Sequence, residues 1–221
     1  MTRSIILASG SPRRRELLTL AGLTFTVQTA DIDETPQPSE TARDYTLRLS
    51  REKAAAVAER ISPGGPVIIA ADTTVADGDD ILGKPGDAAE ARTMLQRLRG
   101  RAHQVYTAVT LFDTQNGASH TEFAVTDVPM RAYTDAEIDA YIASGDPFDK
   151  AGGYAIQHAA FHPAVLQHGC YANVVGLPLC HLLRLLRRAQ IEPPRDVPMA
   201  CQQHHAYECD VTAEILTVGK T

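Results

Sequence analysis

No apolar run in this chain is long enough to span a bilayer, so a membrane-embedded helical protein is excluded and no membrane partner is expected. A basic excess is missing as well. The net charge of −6 argues against a general nucleic-acid binder, which carries a surplus of Lys and Arg. It leaves a phosphorylated ligand open, because binding one depends on local charge. No secretory pattern is present: Met1 to Gly10 has one Arg and a short apolar run that meets Arg13, Arg14 and Arg15, without an h-region or cleavage site. Disulfide spacing is absent too. The four cysteines, Cys170, Cys180, Cys201 and Cys209, form no framework, which fits a reducing, cytoplasmic setting.

What is there reads as one globular domain: 221 residues suffice for a well-buried core. Ser4 to Ala8 is a short buried strand, and Ser9-Gly-Ser-Pro12 leads from it into a helix ended by Gly22. Phe25 to Thr29 reads as a second strand. Thr41 to Asp44 resembles a capping box that opens a long helix to about Arg60. Ser62 to Pro66 is a loop, and Val67 to Val75 a mostly apolar strand followed by a short return at Ile81-Leu82. A second capping box, Asp87 to Glu90, starts a helix that stops before Gly100. Val105 to Phe112 and Glu122 to Met130 make a hairpin around Asn116-Gly117. Thr134 to Glu137 caps a helix ending near Gly145. Tyr154 to Ile156 and Ala164 to Leu166 are expected as strands, and Leu179 to Ala189 as an amphipathic helix. Early alternation of strands and helices, with hairpins later, indicates an α/β fold with a mixed sheet flanked by helices. The domain is expected over residues 1–192, with 193–221 a C-terminal extension outside the core, disordered and dispensable for activity.

Four segments carry chemistry. In Ser9-Gly-Ser-Pro-Arg-Arg-Arg15, three arginines crowd the positive end of a helix dipole. An anion there reverses the problem, and the N–H groups, hydroxyls and guanidinium forks make a phosphate cradle; the alternative is arginines that point into solvent. Asp72 follows the buried run Val67 to Ala71, where a carboxylate is costly unless paired or bound to a metal. It suits a general base or a magnesium-linked carboxylate; the alternative is a strand-end Asp bonded to loop N–H groups. Gly83-Lys-Pro85 places Lys84 in a tight turn within reach of a phosphate, although most lysines are solvated. Asp87 is mainly a helix N-cap by its spacing to Glu90. In Asp149 to Gln157, adjacent glycines permit close approach of a ligand, and the Gln157 amide suits the edge of a uracil or thymine ring. By itself that stretch reads more simply as a polar strand end. Cys201-x-x-His204-His205-x-x-x-Cys209 has zinc-ligand residue types, but one short cluster in a loose context is not read as a metal site.

Together these segments resemble the Maf family of nucleotide pyrophosphatases. Seven pieces occur in the family's order over about residues 3–190: Leu7-Ala-Ser-Gly-Ser-Pro-Arg-Arg14, Ile32-Asp-Glu34, Arg51-Glu-Lys-Ala54, Ala71-Asp-Thr73, Leu82-Gly-Lys-Pro85, Asp149-Lys-Ala-Gly152 and Asn173-Val-Val-Gly-Leu-Pro178. The Ser-Pro-Arg-Arg and Asp-Lys-Ala-Gly forms look like the branch acting on dTTP and UTP. The resemblance implies an inosine-triphosphatase-like fold, a divalent cation (Mg²⁺, with Mn²⁺ as a substitute) and a homodimer. It implies Asp72 as proton acceptor with Lys84 beside it as the second catalytic group. Arg13, Thr73 and Gln157 select the substrate, and Ser9, Arg14 and Lys53 bind its phosphates. Glu34, Asp72 and Asp87 fall to the metal. Two departures bear on base selectivity: Ala155 and His158 stand where the family pattern has glycines beside Gln157. Two other readings fit the same motifs, a non-catalytic nucleotide-sensing regulator linked to cell division and a pyrophosphatase for modified nucleotides.

Overall fold

A computed structural model describes residues 3–62 and 65–217; Pro63 and Gly64 of the expected loop lie outside the described residues. The chain runs β1 (Ile5–Leu7), α1 (Pro12–Leu20), β2 (Thr26–Val27), α2 (Ala42–Ala58), β3 (Val67–Asp77), β4 (Asp80–Leu82), α3 (Ala88–Leu98), β5 (Ala102–Asp113), β6 (Ser119–Pro129), α4 (Asp135–Ala143), two short 3₁₀ turns, α5 (Tyr171–Val175), α6 (Leu179–Arg188), α7 (Val197–His205) and α8 (Thr212–Thr217). The sheet order is β2-β1-β3-β5-β6, with β4 also on β3. β1 is parallel to β2 and β3, and the remaining pairs are antiparallel. The result is the expected α/β fold with a mixed sheet.

β3 explains where the site falls. All but its last residue pairs with β5, from Val67 opposite Asp113 to Ala76 opposite Gln104. Its other edge is shared: β1 pairs only as far as Ile69, and β4 pairs only from Val75. Residues 70–74 therefore have no strand beside them on that edge. Alternation along β3 sorts its side chains. Val67, Ile69 and Ala71 pack towards α1 and α6, whereas Ile68 and Ala70 pack against Ala54 and Val57 of α2. Beyond the gap, Val75 joins a second core with α3, α4 and Tyr154.

α2 presents Thr46, Ser50, Lys53 and Val57 at helical spacing on one buried face. Three of these are polar, and each finds a partner on the sheet: Thr46 donates to Thr74 Oγ1 at 2.7 Å, Ser50 meets Thr110 Oγ1 at 2.8 Å, and Lys53 donates to Asp72 Oδ1 at 2.7 Å. The helix is thus held on the sheet by a satisfied polar row, as buried polar groups require. The capping signals hold: Thr41, Asp87 and Thr134 each accept from the N–H three residues on.

Two expectations fail. Tyr154–Ile156 and Ala164–Leu166 are not strands; one isolated bridge, Met130 to Ala164, is all that forms there. Their apolar residues plug the second core as irregular chain instead. The tail, expected outside the core, packs onto it through residue 217. α7 lies on α1 and α6, α8 lies on α6, and Val197 is 2% exposed within the first core. Cys201, Val211 and Leu216 pack beside it. Asp210 accepts from the Gly169 N–H at 2.9 Å, and Tyr207 donates to the Gly169 carbonyl at 3.1 Å, pinning the tail to the loop before α5.

Candidate active site

The unpaired stretch of β3 floors a cavity of about 440 Å³. Its walls come from the β1–α1 turn, the 29–34 loop, α2, the 83–85 turn and residues 149–157. Strand alternation sends Asp72 to the α2 side and Thr73 to the α1 side. Asp72 is 5% exposed and Lys53 9% exposed. Lys53 Nζ bridges two carboxylates, Asp72 Oδ1 at 2.7 Å and Glu34 Oε1 at 2.9 Å. The Asp72 charge is thus paired inside the core, which its burial demands.

On the other side Arg14 is held by neutral acceptors alone. It donates to Ser9 Oγ at 3.2 Å, Thr73 Oγ1 at 3.0 Å and the Gly176 carbonyl at 2.9 Å. Loss of hydration lowers its pKa, with Arg13 adding to the effect, while Asp72 and Glu34 oppose it. A guanidinium in this state is stabilised by an added anion. Arg13 turns instead to Asp149, 3.1 Å away. Burial alone would raise the Asp149 pKa, but its bonds to Lys150 and Arg13 hold it below the usual range.

Gly176 and Gly152 are the two glycines the site requires. Gly176 has φ +120°, and a Cβ there would stand 3.2 Å from Thr73 Oγ1. Gly152 has φ +70°, its Cβ would meet Val75 at 2.9 Å, and its N–H donates to the Gly83 carbonyl at 2.9 Å. That bond holds the Lys84 turn to the Asp149–Gly152 segment.

Of the residues singled out from sequence, Ser9, Arg13, Arg14, Glu34, Lys53, Asp72, Thr73, Lys84 and Gln157 all line this cavity. Asp87 does not. It is exposed, and its carboxylate accepts from the Glu90 N–H at 2.8 Å as the cap of α3. Arg15 is exposed and also outside the lining. Lys150, overlooked in the sequence, lines the cavity and is 9% exposed. It donates to Asp149 at 2.5 Å and Asp146 at 3.0 Å. Its place inside the fourth chemical segment was the signal. His158 lies outside the lining: its Nδ1 accepts from the Phe161 N–H at 2.9 Å and its ring packs on Tyr141. Ala155 does line the cavity, and its N–H donates to the Tyr141 hydroxyl at 3.1 Å.

All seven sequence pieces supply a residue to this one cavity. The lining has five basic side chains against three carboxylates, so it is locally cationic although the chain is acidic overall. A model of the Maf-like protein family matches residues 4–189. This chain belongs to the Maf-like family. A dTTP/UTP pyrophosphatase of Myxococcus xanthus is 50% identical over 192 residues, which is 86% of this chain and 94% of that one. A dTTP/UTP pyrophosphatase of Geotalea uraniireducens is 46% identical over 185 residues, 84% of this chain and 94% of that one. One from Geobacter sulfurreducens is 45% identical over 184 residues, 83% of this chain and 95% of that one. As a Maf-like chain, this protein continues past the matched region into α7 and α8.

The carboxylates of the cavity suit a hard divalent cation. Among the described residues no group of three or more His, Cys, Asp or Glu side chains is disposed to hold a metal alone. Mg²⁺ does not need such a cage: it is commonly held by one or two carboxylates and completed by substrate phosphates and water. Glu34 and Asp72, joined by Lys53, provide that partial set of oxygen donors.

Proposed function

We propose that this protein is a nucleoside triphosphate pyrophosphatase that converts dTTP and UTP to the monophosphate and pyrophosphate. The observation that carries the reading is the convergence of Arg13, Arg14, Lys53 and Lys84 on a cavity floored by the buried carboxylate of Asp72. The names of the relatives supply the nucleotide.

Arg14, Ser9 and Lys84 bind the triphosphate oxygens. The charge that Arg14 lacks among its neutral partners is then provided by substrate. Gln157, exposed at the cavity wall, offers the base a donor and an acceptor. Asp72 takes a proton from water as the water oxygen bonds to the α-phosphorus. The bond from that phosphorus to the bridging oxygen breaks, and pyrophosphate leaves with the electron pair. Lys53 holds the Asp72 carboxylate in place from 2.7 Å. Mg²⁺ or Mn²⁺, held by Glu34 and Asp72 when bound, supplies charge neutralisation for the triphosphate. Asp87 stays with its helix in this scheme.

The reading places a nucleoside triphosphate, and neither nucleic acid nor membrane, as the partner. It includes a homodimer in the cytoplasm. Four free thiols support the reducing compartment. Product analysis tests the core of the proposal: with Mg²⁺, dTTP and UTP should yield pyrophosphate. Orthophosphate with a nucleoside diphosphate would place attack at the γ-phosphorus and refute it. A sensor would bind the same nucleotides without turnover; a buried carboxylate at the cavity floor favours catalysis.

A further inference from the structure

We propose that Thr107, a buried residue of β5 that lies outside the cavity lining, is a positioning residue that sets the phosphate grip of Arg14. This rests on the reading above that Arg14 binds the triphosphate.

Thr107 stands directly opposite Thr73 across the β3–β5 ladder, so the two side chains share one face of the sheet. Their Oγ1 atoms are 3.0 Å apart. Thr107 Oγ1 also lies 3.0 Å from the backbone carbonyl of Asn173 on α5. A hydroxyl has one proton to give. The carbonyl can only accept, so Thr107 donates to Asn173 and must accept from Thr73. The other acceptor near Thr73 is the Gly176 carbonyl, which is farther off at 3.5 Å and already takes the Arg14 Nε–H at 2.9 Å. The Thr73 proton is therefore directed into the protein, and its lone pairs are left facing Arg14 Nη2 at 3.0 Å.

That direction matters because Arg14 is cut off from water. A hydroxyl can turn either its proton or its lone pairs towards a guanidinium; the first repels and the second attracts. The hydrogen-bond acceptors of Arg14 are two hydroxyls and one carbonyl, all neutral, so the orientation of each decides how firmly the fork is held. Thr107 acts on two of the three. It orients Thr73 directly, and through the Asn173 carbonyl it ties down α5, the helix that ends at Gly176. Asn173 is fixed in turn, since its Nδ2 donates to the Val105 carbonyl at 3.0 Å and to Thr126 Oγ1 at 2.9 Å. One hydroxyl thus joins β5, β3 and α5 behind the guanidinium, without touching substrate.

The experiment uses the full chain, with inorganic tripolyphosphate and Mg²⁺ as the probe for calorimetry and UTP for kinetics. Thr107→Val keeps the shape and removes the relay. Tripolyphosphate affinity should fall by about three- to tenfold, the span of one hydrogen bond, and most of the loss on UTP should appear in KM. Thr107→Ser gives up a buried methyl but keeps the proton and the lone pairs. It should bind as wild type does, even though it melts at a lower temperature. A merely structural role would instead make affinity follow melting temperature in both variants. Arg14→Lys keeps the charge and removes the Nη2 donor, so Thr107→Val should cost little more in that background. Three results would each overturn the proposal: wild-type affinity in Thr107→Val, a loss in Thr107→Ser as large as in Thr107→Val, or the same fold loss from Thr107→Val with and without Arg14→Lys. Failure of the pyrophosphatase reading appears separately, as a wild type that releases no pyrophosphate from UTP; the tripolyphosphate affinities then still decide the role of Thr107.

Discussion

Asp72 and Thr73 are neighbours on β3 that face opposite sides of the sheet, and each meets a cation: Lys53 lies 2.7 Å from Asp72, and Arg14 lies 3.0 Å from Thr73. One dipeptide thus sets the distance between the carboxylate proposed as proton acceptor and the guanidinium proposed to bind phosphate.

Asp72→Asn keeps the shape and removes the base. Turnover should fall by roughly 10²- to 10⁴-fold, the usual span for acid–base catalysis. Nucleotide affinity should survive, because Arg13, Arg14 and Lys84 are unchanged. Lys53 keeps Glu34 at 2.9 Å and an amide oxygen at the old position, so the stability loss should be only about 1–3 kcal/mol. Turnover, affinity and urea unfolding on one preparation check all three parts. Near-normal turnover would remove Asp72 from the mechanism.

Removing divalent cations with EDTA should abolish pyrophosphate release, and Mg²⁺ or Mn²⁺ should restore it. Glu34→Gln should raise the cation concentration needed for half-maximal activity, because it leaves Asp72 alone to hold the ion. Asp87→Asn should leave that concentration unchanged, since Asp87 caps α3. A shift for Asp87→Asn equal to that for Glu34→Gln would contradict the ligand set.

Gly152→Ala should destabilise the fold by about 1–3 kcal/mol, the range for strained backbone, and reduce activity by moving Lys84. Two effects combine, the φ of +70° and a contact of 2.9 Å with Val75. Adding Val75→Ala relieves the contact and leaves the φ strain, so the double variant should recover activity in part. Full recovery would show that strain at Gly152 costs nothing.

Acid should weaken the fold through His103. Burial lowers its pKa to about 4 from an ordinary value of 6.5, and its Nε2 meets the Tyr154 hydroxyl at 2.7 Å. Below pH 6.5 the unfolded chain binds a proton that the folded chain refuses, so stability falls as pH drops towards 4. The loss from this residue approaches about 3 kcal/mol at the bottom of that window. His103→Gln keeps a partner for Tyr154 and should flatten this part of the urea-midpoint profile between pH 7 and 5. An unchanged slope would assign the effect elsewhere, with the half-buried His181 and His205, also lowered to about 4 by burial, as candidates.

The tail should contribute to stability. Ending the chain at Ile191 strips α7 and α8 from α6, and Val197→Ala alone should cost about 1–3 kcal/mol as a core truncation. Turnover on UTP should follow the folded fraction. A truncated chain with an unaltered melting temperature would return the tail to the dispensable role its sequence suggests.

The fold was legible where burial leaves a simple pattern. β1 and β3 are covered on both faces and read as apolar runs, and three helices announce themselves by a side chain three residues before the N–H it caps. Tyr154 to Ile156 read as a strand for the same reason, but its apolar residues serve a core without pairing. The tail was opaque because it docks through a few scattered positions, Val197, Cys201, Val211 and Leu216, too sparse to make a periodic stripe. Within the site, Asp72 was visible as a charge in an apolar run. Lys150 was not, since a lysine among acids looks solvated until Asp146 and Asp149 are seen to fold around it.

The unbroken pairing of β3 with β5 has a mechanical consequence. Ten consecutive positions, from Val67 opposite Asp113 to Ala76 opposite Gln104, run as one ladder beneath both walls of the cleft. A hinge at Asp72 would have to break hydrogen bonds at the centre of that ladder. The floor therefore behaves as a stiff beam, and any closing over a triphosphate is left to the parts that are not bolted to it. Those are the loop bearing Glu34, between β2 and α2, and the turn bearing Lys84, between β4 and α3, both residues being exposed. On the proposed mechanism, substrate would be gripped from the sides while the carboxylate beneath it stays still.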